Sequence, residues 1–178
     1  EYGEGTTALR AMVPGLTLST DVIVGFPGET EADFQETLSL VREIGFVGLF
    51  GFKYSPRPHT PAQKLGDDVP EEIKSDRLAR LFELSERLLS EHLAGLVGTT
   101  QDVLVEGLGK QARRGGPAAY TGRTGRHEIV HVADPRAADL VGEIAEVTIT
   151  ERFKHSLAGE LTEAAIARAE ASVRPAGS

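Results

Sequence analysis

The sequence predicts an α/β domain followed by a small all-β barrel. A strand–turn–helix–strand pattern occupies residues 16–54, and that order is the signature of a βαβ unit with parallel strands. After Gly98 the helical periodicity stops, and short strand-like runs follow, separated by Gly and Pro turns. Charge changes at the same point. Residues 1–98 carry 9 Lys/Arg and 16 Asp/Glu, a net of −7, whereas residues 99–160 carry 8 and 9. The expected boundaries are 1–98 for the α/β part, 99–161 for the barrel and 162–178 for a tail.

Glu1 to Val13 are weakly patterned and read as a short helix or a chain end. Leu16 to Val24 are rich in β-branched residues and read as a buried strand. Gly25-Phe26-Pro27-Gly28-Glu29 then makes a turn, since two glycines and a proline cannot continue a ladder. Thr30 with Asp33 approximates a capping box, and Phe34, Leu38, Val41 and Ile44 recur at helical spacing until Gly45. Phe46 to Tyr54 read as the second strand. The three prolines of Ser55–Pro61 deny helix and sheet alike.

Pro70, with Glu71 and Glu72 beside it, opens the longest helix. Its apolar stripe is expected through Ile73, Leu78, Leu81, Leu84, Leu88 and Leu93, with Gly95 and Gly98 closing it. In the second part, Val103–Leu108, Tyr120–Arg123, Ile129–Val132 and Ile144–Ile149 read as strands. Residues 162–178 are alanine-rich and lack a second apolar face, so a frayed helix or disorder is expected there.

Composition narrows the chemistry. The chain of 178 residues has no cysteine, which excludes disulfides, thiolate-held zinc and an iron–sulfur cluster ligated by its own thiolates. His127 and His131, with Glu128 between them, are the nearest approach to a metal pattern and read better as a polar pair on a strand. No apolar run approaches the ~18 residues of a membrane span, and no basic-then-apolar leader is present, so a cytoplasmic protein is expected. The net charge of −8 argues against the whole surface binding nucleic acid; such contact belongs to the second half.

Ligands of α/β sheets sit outside the carboxyl ends of the parallel strands. Here those ends are Gly25–Glu29 and Tyr54–Thr60. Gly25 and Gly28 let a backbone approach a ligand, and Pro27 stiffens the turn. The helix start at Thr30 suits an anion or polar group. Glu29 could accept a hydrogen bond from a ribose hydroxyl or an amine, while Ile23 and Tyr54 offer an apolar and an aromatic face to a flat heterocycle. The alternative is that a βα turn simply requires Gly and Pro, and spacing alone leaves both open.

Ser19-Thr20-Asp21-Val22-Ile23-Val24-Gly25-Phe26-Pro27-Gly28-Glu29-Thr30 resembles the fifth-strand motif of radical-SAM methylthiotransferases. Tyr54-Ser55-Pro56-Arg57-Pro58 with Thr60-Pro61-Ala62 is similar to the sixth-strand motif of that family. Gly122-Arg123-Thr124, Ile149-Thr150-Glu151 and Ser156-Leu157-Ala158-Gly159-Glu160-Leu161 resemble the TRAM domain, a small RNA-binding β-barrel, and the last is most like the MiaB type. The resemblance implies the last βα units of a partial (βα)6 radical-SAM barrel followed by a five-stranded TRAM barrel. It also implies S-adenosylmethionine as cofactor, with Ile23, Gly25, Gly28, Glu29 and Tyr54 on its adenosyl part, and two [4Fe–4S] clusters ligated outside this chain.

The implied partners are a tRNA anticodon stem-loop and the N-terminal part of the same enzyme. The implied reaction is methylthio transfer to C2 of N6-isopentenyl-adenosine. Alternatives are methylthio transfer to an aspartate of a ribosomal protein, or a non-catalytic RNA-binding module. The RNA-contacting candidates are Lys110, Arg113, Arg114, Arg123, Arg126, Arg152 and Lys154, with Tyr120 and Phe153 as stacking candidates. The sequence departs from the family where His59 replaces a usual Gly, and where His127 and His131 replace two asparagines that usually follow Gly-Arg-Thr.

Overall fold

The structure, a computed structural model, describes the backbone of residues 2–66, 68–110 and 119–173. The chain divides into two compact units, Glu1–Leu89 and Ser90–Ser178.

The first unit contains α1 (Tyr2–Met12), β1 (Ser19–Val24), α2 (Glu31–Ile44), β2 (Gly48–Lys53) and most of α3 (Glu71–Leu96), within which the unit boundary falls. β1 and β2 pair in parallel, from Ser19↔Gly48 to Val24↔Lys53, as the βαβ pattern predicts. The capping box at α2 is complete: the Asp33 N–H donates to Thr30 Oγ1 at 3.2 Å, and the Thr30 N–H donates to Asp33 Oδ2 at 2.8 Å. Gly45 ends the helix in the left-handed region, at φ 65°. Phe34, Leu38, Val41 and Ile44 of α2 then pack with Val24, Phe46, Leu81 and Leu84 to form the core.

The two strands have unlike faces because side chains alternate along them. Val22, Val24 and Leu49 turn to the core. Ile23, Phe50 and Phe52 stay 54 %, 61 % and 53 % exposed, an apolar face that the described residues leave uncovered.

The α3 stripe differs from expectation at its start. Lys74 and Arg77 are buried along with Leu81 and Leu84, whereas Ile73 is 42 % exposed. The buried positions 74, 77, 81 and 84 and the partly buried Leu88 keep helical 3–4 spacing, so the stripe is continuous and its first two members are basic. Beneath them lie loop carbonyls and a carboxylate, which accept from Lys74 Nζ and Arg77 Nη1 while the stems pack.

The second unit is a closed five-stranded barrel of β3 (Thr100–Leu108), β4 (Tyr120–Thr124), β5 (Ile129–Val132), β6 (Ile144–Arg152) and β7 (Leu157–Leu161). Around the barrel the order is β3-β4-β5-β7-β6, with β6 returning to β3. Only β5 and β7 pair in parallel; the other neighbours are antiparallel. Val103, Val105, Val130, Val132, Val147 and Ile149 are among the residues that fill the interior. Two glycines allow the strands to approach: a Cβ on Gly122 would lie 2.5 Å from the Leu104 carbonyl oxygen, and one on Gly159 would lie 2.7 Å from that of Thr148.

Residues 163–173 form a helix, α4, where the sequence leaves a frayed helix or disorder open. Ala165 and Ala169 share one face and are buried, and their small size lets the helix lie close against the 3₁₀ turn Pro135–Leu140. The remainder of the expected tail, 174–178, lies outside the described residues.

Candidate functional site

In the first unit the site is the pair of loops that leave β1 and β2. Gly25 and Gly28 both have positive φ, 72° and 81°, so the turn needs residues without a Cβ penalty. The Glu29 N–H closes the turn onto the Phe26 carbonyl at 2.9 Å. Glu29 Oε2 accepts from the Gly25 N–H at 2.6 Å and from Arg77 Nη1 at 2.6 Å, in an ion pair whose side chains are 11 % and 5 % exposed. Arg77 Nη1 also donates to the Glu29 carbonyl at 3.1 Å.

Lys74 treats the other loop in the same way. Its Nζ donates to the Tyr54 carbonyl at 3.3 Å, and its stem fills the space where a Cβ on Gly25 would stand. The Tyr54 ring is buried, meets Phe26 edge-on at 5.2 Å between centroids, and donates its hydroxyl to the Ala62 carbonyl at 3.2 Å.

The expected cofactor residues therefore divide. Ile23 is exposed, and Gly28 has open space at its Cβ position, so both face outward. The Glu29 carboxylate and the Tyr54 ring turn inward and hold the loops. Both groups have protein partners in this arrangement. Gly25 has its Cβ side filled by Lys74, so that side offers no room to a ligand. Lys74 and Arg77 were not foreseen, because a charged residue reads as solvent-facing unless the stripe is traced backward from Leu81.

Around this corner two carboxylates, Glu31 and Asp33, are held ionised. The Arg80 guanidinium, and after it Gln35, lower the Glu31 pKa from 4.5 to about 2 by hydrogen bonding. The Thr30 hydroxyl and backbone N–H lower that of Asp33.

In the barrel, the Gly-Arg-Thr motif has three distinct placements. Gly122 is at a strand contact, Thr124 is buried, and Arg123 is exposed. Thr124 Oγ1 donates to Glu128 Oε2 and accepts from the Arg126 N–H at 3.2 Å, fixing the β4–β5 turn. Glu128 Oε1 lies 2.7 Å from His92 Nε2. Burial pushes the Glu128 carboxyl up, but the hydrogen bonds with His92 and Thr124 outweigh it and hold the group below its ordinary value. Thus Glu128 is committed to the turn, and among the described residues no group of three His, Cys, Asp or Glu could hold a metal ion.

Arg123 Nε pairs with Glu106 at 3.2 Å; both side chains are roughly half exposed, so the pair is weak and exchangeable. A groove of about 830 Å³ crosses the outside of the barrel, and its lining includes Lys110, Arg123, His131, Phe153, His155 and Glu160. Of the expected RNA residues, Lys110 and Arg123 meet there. Arg126 and Lys154 do not line it, and Arg152 instead donates to Ser90 Oγ at 2.9 Å. Arg113 and Arg114 lie outside the described residues. Of the two stacking candidates, Phe153 lines the groove and Tyr120 does not. Among the described residues no helix is long and apolar enough to cross a membrane.

Comparison with known proteins gives a consistent result. Residues 95–162 match the TRAM domain. A tRNA-2-methylthio-N(6)-dimethylallyladenosine synthase of Sorangium cellulosum (strain So ce56) is 66 % identical over 171 residues, covering 95 % of this chain and 34 % of that protein. Proteins of the same name from Ralstonia pickettii (strain 12J) and Bdellovibrio bacteriovorus are each 42 % identical, covering 95 % and 90 % of this chain. These cover 37 % and 34 % of the two relatives, so the chain spans only about a third of the length of the curated relatives it matches.

Proposed function

Since the chain belongs to the methylthiotransferase family of these relatives, as a segment about a third of their length, we propose that it is part of a cytoplasmic enzyme that adds a methylthio group to C2 of N6-isopentenyl-adenosine beside a tRNA anticodon. The observation that carries this reading is the 66 % identity over 95 % of the chain with a relative of that name. The TRAM match at 95–162 supports the RNA part of it.

In this reading the first unit is the end of a partial (βα)6 barrel. The parallel β1–β2 pair, with Ile23, Phe50 and Phe52 uncovered on one face, suits strands that belong to a larger sheet. The residues present fit one wall of an S-adenosylmethionine site: an open Gly28, an exposed Ile23, and a helix N-terminus at Thr30. When bound, that cofactor would supply the radical-forming adenosyl group. This chain's own part is to shape the wall, with Glu29–Arg77 and Lys74–Tyr54 holding the two loops. Without cysteine it has no ligand set for the two [4Fe–4S] clusters, which belong to the rest of the enzyme. The barrel's cations, Lys110 and Arg123 foremost, position the anticodon stem-loop through its phosphates.

Nucleoside mass spectrometry tests the proposal in a bacterial host that lacks the methylthio modification. Expression of the complete reading frame containing this chain should convert isopentenyl-adenosine in tRNA to its methylthio derivative. Removal of 99–161 from that frame should abolish the conversion. Isopentenyl-adenosine left unmodified by the complete frame would overturn the reading.

A further inference from the structure

We propose that the groove on the outside of the second unit is a subsite for one unpaired nucleobase, stacked on Phe153 beside His131, with the adjoining phosphates on Lys110 and Arg123. The inference rests on the RNA reading above and adds to it a location and a mode of contact.

The volume, about 830 Å³, suits a nucleotide with its flanking groups. Its walls are low where a flat base would slide in: Gly107, Gly109, Gly159, Ala133 and Ala158 contribute backbone or a single methyl. Against these small residues stand aromatic rings. Phe153 follows the end of β6, where its N–H donates to the Ser156 carbonyl at 2.7 Å and fixes its backbone at the mouth of the β6–β7 turn. The His131 ring from β5 meets it at 6.4 Å between centroids and 63° between planes. Phe153 nevertheless remains 44 % exposed, an apolar ring kept partly in water within a groove. Every base has a π-face, so such a ring binds one without regard to sequence.

Charge supports the same division of labour. Two carboxylates, Glu106 and Glu160, share the groove with Lys110 and Arg123. A run of phosphates laid along it would meet both carboxylates, so a base inside and phosphates at the exposed cations is the favourable arrangement. Glu106 holds Arg123 in place until a phosphate replaces it, since both members of that pair are solvent-accessible.

The test titrates the full chain with a single-stranded oligoadenylate and with an abasic RNA of the same length and charge. The wild type should prefer the oligoadenylate by roughly tenfold, as expected for one stacked base. Phe153→Ala should erase that preference while leaving the salt dependence intact, and Phe153→Tyr should restore it. Lys110→Ala with Arg123→Ala should weaken both oligomers alike and flatten the salt dependence. Equal affinity of the wild type for the two oligomers, or a preference that survives in a folded Phe153→Ala variant, would overturn the subsite while leaving the RNA reading in place. Failure of both oligomers to bind at low salt would overturn the RNA reading and the subsite with it.

Discussion

Glu29→Ala should destabilise the first unit by about 3–5 kcal/mol, because it leaves a buried guanidinium without its closest and most buried counter-charge. Arg77 is 4 % exposed, and its Nη1 donates to Glu29 Oε2 at 2.6 Å. Its Nε lacks a hydrogen-bond partner, and the remaining counter-charge, the Glu31 carboxylate 3.7 Å away, is half exposed and already paired with Arg80 at 2.6 Å. The same substitution removes the acceptor for the Gly25 N–H. Urea unfolding followed by hydrogen exchange of the β1 and α2 amides would measure the effect. Glu29→Leu combined with Arg77→Met should recover much of the loss, since an apolar pair of similar volume avoids burying the charges. Full stability in Glu29→Ala would mean that the carboxylate is not the clamp described above, and a role toward ligand would then stand alone.

Gly122→Val should be nearly as damaging to the barrel, costing about 1–3 kcal/mol or more by overpacking. The new Cβ would lie 2.5 Å from the Leu104 carbonyl oxygen and 2.5 Å from Val103 Cγ1, and the first of these is backbone within a paired strand. The neighbouring Gly125 is a control, because a Cβ there meets nothing within 4 Å. Gly125→Ala should change the melting temperature little, whereas Gly122→Val should lower that of the barrel by many degrees. If Gly122→Val melts with the wild type, β3 and β4 are not as close as described, and the glycine of the Gly-Arg-Thr motif has no packing role.

Much of the fold is legible in the sequence where one physical signal dominates. The βαβ unit is legible because β-branched runs, a capping box and helical spacing all agree over 16–54. Four barrel strands are legible from β-propensity and turns, though β3 and β6 each extend three residues beyond the expected runs, to Thr100 and Arg152. β7 carries Gly159 and Glu160 and has little propensity of its own; the motif resemblance points to it, and pairing on both sides completes it. α4 was underestimated because alanine adds little to an apolar count while packing closely.

Two of the three residues that depart from the family motifs, His59 and His127, acquire a physical reading. Among the described residues, His59 and His127 are the non-glycine residues with positive φ, at 66° and 69°. Glycine and asparagine, the usual family residues there, tolerate the left-handed region most easily, and histidine is among the side chains enriched in it. The loops therefore keep their backbone course with a different side chain. At the strand ends, the sequence marks the Gly- and Pro-rich loops but not which of their side chains are buried. The burial of Lys74 and Arg77 decides that, and burial of a charge depends on tertiary partners that no local pattern displays.

In the proposed function, the second unit grips tRNA. Binding of the full chain to a tRNA anticodon stem-loop, titrated across several salt concentrations, tests it most directly. Affinity should fall linearly on a log–log plot as salt rises, with the slope reduced by about one when Arg123 becomes alanine. No binding at low salt, or a slope that Arg123→Ala leaves unchanged, would contradict it.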